Sequence, residues 1–291
     1  MRIAIYSRGL EGKQYDDLKL LLDELVLNNI QPVFFQDFFN QIYSSVNIPK
    51  IYSTFNSSLE LEDIDYLISL GGDGTLLDTV SLVRDKGIPV VGINYGRLGF
   101  LASIGKDEMH SVINALVDRT YMIDKRSLIH LEANVPLFGE VPYALNELTI
   151  HKKDTSPMIK IHTYLNGEFL NTYWADGLII STPTGSTGYN LSCNGPVMFP
   201  DSSSFIITPV SPHNLNIRPI VVPDSNIISF EVEGRTDGFL CTLDSRREIV
   251  AKEVQLAVRK ETFYINLIRL NENNFLQTLR NKLSWGLDKR N

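Results

Sequence analysis

The chain has 291 residues, 43% of them hydrophobic and 21% charged, enough to bury the core of one large or two modest domains. A formal net charge of -7 argues against broad binding to nucleic acid or anionic membranes, while leaving room for a local basic pocket. Two cysteines, Cys193 and Cys241, are too few for a disulfide scaffold and lack metal-ligand spacing.

The first hundred residues alternate strand and helix. Strands are predicted at 2–7, 31–36, 64–70 and 88–94, with helices at 15–27 and 76–86, the latter stopping before Gly87. This alternation is that of a parallel sheet flanked by helices, where ligands bind beyond the carboxyl ends of strands. After a helix at 107–117 the pattern becomes mainly β, with strands expected at 128–134, 143–151, 158–165, 168–174, 205–209, 226–233, 239–243, 249–257 and 262–268. Asn166-Gly167 marks a hairpin turn. An amphipathic helix at 273–285, carrying Phe275, Leu276, Leu279, Leu283 and Trp285, is expected to return to the first domain. The fold class expected is an α/β N-terminal domain, residues 1–101 with 270–291, plus a mainly β domain, residues 102–269, with ligands in the cleft between them. The opening apolar run is too short for a signal peptide, and none approaches the ~18 to 20 residues of a membrane span. A cytoplasmic enzyme with no nucleic-acid or membrane partner is the expectation.

Two segments concentrate the chemistry. Gly71-Gly72-Asp73-Gly74-Thr75 follows a buried strand and opens a helix, so its glycines either make a tight turn or let the backbone approach a phosphate. Asp73 at that position either binds a metal–nucleotide complex or accepts a proton from a hydroxyl as it is phosphorylated. A second turn, 94–101, follows the next strand and either lies beside the first or joins the domains. The other segment runs from Trp174-Ala175-Asp176-Gly177 through Thr182-Pro183-Thr184-Gly185-Ser186-Thr187-Gly188-Tyr189 to Gly195-Pro196. It is either a solvated loop or a surface of hydroxyl and amide donors for a ribose-rich or phosphate-rich ligand. Neither a lysine-bearing phosphate loop nor a G-x-G-x-x-G fingerprint is present.

With these segments the chain resembles the bacterial NAD kinases. The matching elements are Gly71 to Thr75, Gly96-Arg97-Leu98-Gly99-Phe100-Leu101, Asn146-Glu147, Asp176-Gly177-Leu178, Ser181 to Thr187, Gly195-Pro196, Pro209 to His213 and Arg218-Pro219, in the family's order. The first motif alone is shared with phosphofructokinases and with lipid kinases; the ordered set is specific. The resemblance implies transfer of the ATP γ-phosphoryl group to the 2'-hydroxyl of the adenosine ribose of NAD. It implies Asp73 as the base; Asp73, Gly74, Asn146, Glu147, Trp174, Asp176, Thr187, Gly188, Tyr189, Asn190, Leu191, Ser192 and Arg246 as contacts to NAD; and Gly71, Gly72, Gly74 and Thr75 as contacts to ATP phosphates. It also implies Mg2+ or another divalent ion carried by ATP rather than by a protein cage, and a homodimer or homotetramer.

Three departures bear on these roles. Gly188 stands where the family usually has Ala, Trp174-Ala175 where a basic residue often precedes Asp-Gly-Leu, and Asp244-Ser245-Arg246 where the family has Asp-Gly-Gln. Arg246 is either a cationic ligand contact or a surface turn residue. The competing readings are a sugar-phosphate or lipid kinase with the same glycine-rich site, disfavoured by the hydroxyl-rich run, and a non-catalytic dinucleotide sensor, disfavoured by Asp73.

Overall fold

The computed structural model describes residues 1–46, 52–153, 156–270 and 275–285. The chain forms two compact units, residues 1–125 with 265–291, and residues 126–264. Residues 102–125 and 265–269, which the sequence reading assigns to the second domain, lie in the first unit.

The first unit contains β1 (Arg2–Tyr6), α1 (Gln14–Leu27), β2 (Gln31–Phe35), α2 (Gln36–Val46), β3 (Ser53–Phe55), β4 (Tyr66–Leu70), α3 (Asp73–Val83), β5 (Val90–Asn94), β6 (Ile104–Gly105) and α4 (Met109–Asp118). Its strands pair in parallel in the order β3-β2-β1-β4-β5. Strands β4 and β5 read as continuous apolar runs because both faces of the sheet are covered, and every residue of both is buried. Ile3, Ile5, Phe34, Ile68, Val91 and Ile93 of the sheet join Leu18, Leu21 and Leu25 of α1 and Val112, Ile113 and Leu116 of α4 in one core.

The strand order reverses between β1 and β4. Chain leaving β1 turns to one side and chain leaving β4 to the other, so the loops beyond their carboxyl ends open the crevice where such sheets take ligands. The glycine-rich turn follows β4 there, and Ser7 and Arg8 follow β1.

After β7 (Met122–Ala133), the second unit holds β8 (Tyr143–Ala144), β9 (Glu147–His151), β10 (Ile159–Leu165), β11 (Glu168–Ala175), β12 (Gly177–Ser181), α5 (Tyr189–Ser192), β13 (Ser204–Val210), β14 (Ile220–Pro223), β15 (Ile228–Glu233), β16 (Gly238–Leu243), β17 (Arg246–Ala251) and β18 (Leu256–Arg269), whose last residues belong to the first unit. An antiparallel sheet runs β14-β13-β12-β9-β16-β17, and β11, β10, β15 and the start of β18 pair antiparallel in that order. Tyr173, Phe205, Phe230 and Phe239 are its largest buried side chains and sit in one apolar core.

The secondary structure differs from expectation in several places. Helix α2, strands β3, β6 and β14 and the short helix α5 lie outside the expected elements. The expected strand 143–151 breaks into β8 and β9, because the amides of Leu145, Asn146 and Glu147 turn to the Asp244 carboxylate instead of a ladder. The expected strand 249–257 is interrupted by a turn in which the Val254 amide donates to the Ala251 carbonyl. Helix α3 ends at Val83, with Arg84 at positive φ as its cap. The C-terminal helix α6 is Phe275–Leu283, in the first unit, with Leu279 buried; positions 273–274 of the expected helix lie outside the described residues. Among the described residues no helix is long and apolar enough to cross a membrane.

Candidate active site

Asp73 opens α3 at the end of the glycine-rich turn. No side chain caps the helix, and the Gly72 carbonyl takes the amides of Thr75 and Leu76. Gly71 sits at φ +150°, and a Cβ there would collide with the Thr75 side chain, so only glycine serves. The two glycine turns meet at Asp73: its Oδ2 accepts the Phe100 amide at 2.8 Å, and its Oδ1 accepts Leu101 at 3.1 Å and Ala102 at 2.9 Å. A Cβ at Gly99 would overlap this carboxylate, which explains the glycine in Gly96-Arg97-Leu98-Gly99. The loop after β5 therefore lies beside the first turn. The Asn94 side chain closes that loop, accepting the Gly96 amide and donating to the Arg97 carbonyl, each at 2.9 Å.

In the second unit, Asn146 and Glu147 stand at the start of β9. Asn146 Oδ1 and Glu147 Oε2 are both buried without a hydrogen-bond partner. Two adjacent orphaned acceptors in a folded chain ask for a missing partner. Burial, and then the charge of Asp244, push the Glu147 carboxyl up to about 8 from its ordinary 4.5, against a hydrogen bond from the Tyr189 amide. Glu147 is therefore largely protonated at pH 7, and its carboxyl is able to donate as well as accept.

Asp244 holds this strand end in place. Its Oδ1 accepts the amides of Asn146 at 2.8 Å and Glu147 at 3.2 Å, and its Oδ2 that of Leu145 at 2.9 Å. It sits at φ +53° in the two-residue turn between β16 and β17. Burial raises its carboxyl, opposed by the three amides and by Arg246. The Arg246 guanidinium donates to the carbonyls of Val141 and Tyr143, so it pins the chain around β8. Burial lowers it and Asp244 offsets that effect.

The hydroxyl-rich run folds largely upon itself. Thr182 Oγ1 donates to the Leu145 carbonyl at 2.6 Å and accepts the Gly185 amide at 3.1 Å. Ser186 Oγ accepts the Met198 amide at 3.0 Å. A Cβ at Gly185 would strike the Asn146 carbonyl, so this glycine permits the loop to close on the Asn146 backbone. Asn190 is fully buried, donating to the carbonyls of Ser186 and Pro196 at 3.0 and 3.1 Å and accepting Thr208 Oγ1 at 2.6 Å. Its side chain is spent on the loop. Tyr189 and Ser192 are exposed, and Thr187, Gly188 and Leu191 are half-buried beside them. A Cβ on Gly188 would come 3.0 Å from Glu147 Oε2, which joins this run to the orphaned pair.

Asp176 Oδ1 lies 2.7 Å from Lys152 Nζ, so that carboxylate is paired within the unit. Trp174 is exposed and stacks on His213 with ring centroids 4.4 Å apart. The structure thus brings Asn146, Glu147, Gly188 and Tyr189 together in the second unit, and Gly71 to Thr75 with the 96–102 loop in the first. Sequence reasoning named Asp244 only within the turn that stands where the family has Asp-Gly-Gln and gave it no role, and it missed the amides of Phe100 to Ala102, which nothing in spacing reveals.

The ATP-NAD kinase N-terminal domain family matches residues 39–121 and the ATP-NAD kinase C-terminal domain family residues 145–270. The NAD kinase of Cytophaga hutchinsonii is 47% identical over 292 residues, covering all of both chains. That of Flavobacterium psychrophilum is 45% identical over 294 residues, again covering all of both. Among solved structures, yeast NADH kinase complexed with NADH superposes with a TM-score of 0.88 at 23% identity, over 99% of this chain and 89% of that one. An NAD kinase from Archaeoglobus fulgidus in complex with ATP gives 0.76 at 22% identity, over 98% and 99%. At these identities the two structures establish a shared fold.

Proposed function

We propose, starting from a chain that belongs to the NAD kinase family and phosphorylates NAD at the expense of ATP, that Asp73 Oδ2 is the base of the transfer. The 2'-hydroxyl oxygen of the adenosine ribose attacks the γ-phosphorus of ATP, the bond to the β–γ bridging oxygen breaks, and its electron pair leaves with ADP. The hydroxyl proton passes to Asp73. Both lone pairs of Oδ1 in the carboxylate plane are taken by Leu101 and Ala102, whereas Oδ2 accepts Phe100 alone. Oδ2 is thus the atom with room for a proton, and the loop amides fix its direction. Such positioning is most of what phosphoryl transfer asks of a protein.

The observation that carries the nucleoside side of this reading is the orphaned pair, Asn146 Oδ1 and Glu147 Oε2, next to exposed Tyr189. An adenosine offers an amino group and ribose hydroxyls as donors for both atoms, and Tyr189 an aromatic wall for the base. Gly188, Thr187, Leu191 and Ser192 flank that wall in sequence, the charge of Asp176 is felt at Tyr189, and Trp174 is a contact by resemblance alone. Asn190 and Arg246 serve it indirectly, by shaping the loop and the strand end.

A divalent ion fits only as a companion of the ATP phosphates. Among the described residues no three His, Cys, Asp or Glu side chains gather to hold one, and of the two Asp73 oxygens only Oδ2 has room beyond its amide, so the ATP phosphates would supply most of the ion's ligands. No step is assigned to it. A homodimer or homotetramer is what the family resemblance implies, and a cytoplasmic location is the expectation drawn from the sequence.

Incubation with ATP, Mg2+ and NAD is expected to give a product whose phosphorus spectrum shows a 2'-phosphate on the adenosine ribose. Phosphate at another position, or on a sugar phosphate supplied in place of NAD, would refute this assignment.

A further inference from the structure

The structure places a cation on the glycine-rich turn. Arg8, just past the carboxyl end of β1, reaches across the β1/β4 reversal to α3. Its Nε and Nη2 donate to the two oxygens of Asp78 at 2.5 and 2.7 Å, a forked pairing that fixes the plane of the guanidinium. Tyr6 adds a third hydrogen bond to the same carboxylate, at 2.9 Å to Oδ2. Asp78 lies five residues along α3 from Asp73, so the arginine is stapled beside the first turns of the helix. Its Nη1 stands 3.4 Å from where a Gly74 Cβ would be, and at Gly74 no side chain intervenes.

Two of the five guanidinium N-H groups are committed to Asp78. Those of Nη1 have no protein acceptor among the described residues, and the side chain is 54% exposed. An arginine meant only to neutralise Asp78 has no need of this approach to Gly74, and the chain offers no phosphate-loop lysine to do the same work.

We propose that Arg8 contacts the transferring phosphate of ATP: held over Gly74 by Asp78, it donates Nη1 hydrogens to the γ-phosphoryl oxygens, with Asp78 and Tyr6 as its positioning residues. Charge on those oxygens is what this transfer must accommodate, and a pre-oriented donor costs no rearrangement when the bond breaks. The inference rests on the kinase reading above and deepens it.

The test compares wild type, Arg8→Ala, Arg8→Lys and Asp78→Asn in NADP formation at varied ATP and varied NAD, with MgATP affinity measured by calorimetry in the absence of NAD. Arg8→Ala is expected to lower kcat/KM for ATP on the order of 10²-fold, with KM for NAD unchanged and partial rescue by added guanidinium. Arg8→Lys keeps the charge without the fork and falls between. Asp78→Asn lowers kcat/KM for ATP by roughly tenfold, because the guanidinium is then less firmly aimed. Values for Arg8→Ala within twofold of wild type, in both turnover and MgATP affinity, would overturn the proposal. So would an equal loss of NAD and ATP efficiency that guanidinium does not relieve. Wild type that bound MgATP yet made no NADP would instead count against the NAD acceptor, while the Arg8 effect on MgATP affinity would stand or fall by itself.

Discussion

Asp73 and Asp244 are held alike, and they do different work. Each carboxylate accepts three consecutive backbone amides, two on Oδ1 and one on Oδ2, from residues 100–102 in the first case and 145–147 in the second. Around Asp73 the neighbours are glycines, Gly72, Gly74 and Gly99, which leave backbone and open space beside the carboxylate. Around Asp244 they are Arg246 and the strand end itself, and burial raises its carboxyl. An amide cradle is therefore a way of fixing a carboxylate, and what is left uncovered decides whether it reacts or braces. Glu147 is the third term. It lies beside Asp244, has one orphaned oxygen, and is pushed up to about 8.

Replacing each carboxylate in turn separates these roles. Asp73→Asn is expected to cut kcat for NADP formation by roughly 10² to 10⁴-fold, the usual worth of a general base, and, because its side-chain NH2 cannot accept the Phe100 amide, to lose about 1 to 3 kcal/mol of unfolding free energy. Asp244→Ala leaves three amides without an acceptor and is expected to lose about 3 kcal/mol or more of unfolding free energy, read by urea denaturation, with the surviving folded protein still turning over. If Asp244→Ala proved as stable as wild type, the bracing role would be lost and the comparison with it.

Glu147→Gln probes the same region through pH. The folded-state value of about 8 lies above the ordinary 4.5, so the folded chain holds a proton that the unfolded chain releases. Wild-type stability from this group is present below about pH 4.5 and is lost as pH rises to about 8. The glutamine variant cannot ionise, so its stability relative to wild type should climb through that window by about 2 to 4 kcal/mol, checked by denaturation at pH 5, 6.5 and 8. Parallel pH profiles would show that Glu147 is not held protonated. The smallest effect belongs to Gly188→Ala. The added methyl presses on Glu147 Oε2 at 3.0 Å and should cost no more than about 1 kcal/mol in stability, with a rise in KM for NAD and an unchanged KM for ATP.

The alternation of β1, β2, β4 and β5 with their helices was legible because both-face burial writes apolar runs into a parallel sheet. Helix α2 was missed although Phe38 and Ile42 stand at helical spacing and are both buried. The break between β8 and β9 was not legible, since its cause is a carboxylate 97 to 99 residues away in sequence. The glycine turn stood out by composition, and the Asn146-Glu147 pair only by resemblance to a family. What composition misjudged was the run from Thr182 to Asn190, whose hydroxyls and amide largely close the loop on its own backbone. Arg8 and Asp78 carried no local signal, because their meeting depends on the reversal of strand order between β1 and β4.

The most direct test of the base assigned to Asp73 is a single-turnover experiment on Asp73→Asn with enzyme in excess over NAD, saturating MgATP, and NAD affinity measured in parallel. NAD is expected to bind within a few-fold of wild type, with the phosphoryl-transfer step slowed by roughly 10² to 10⁴-fold. A transfer step as fast as wild type at equal NAD occupancy would contradict it.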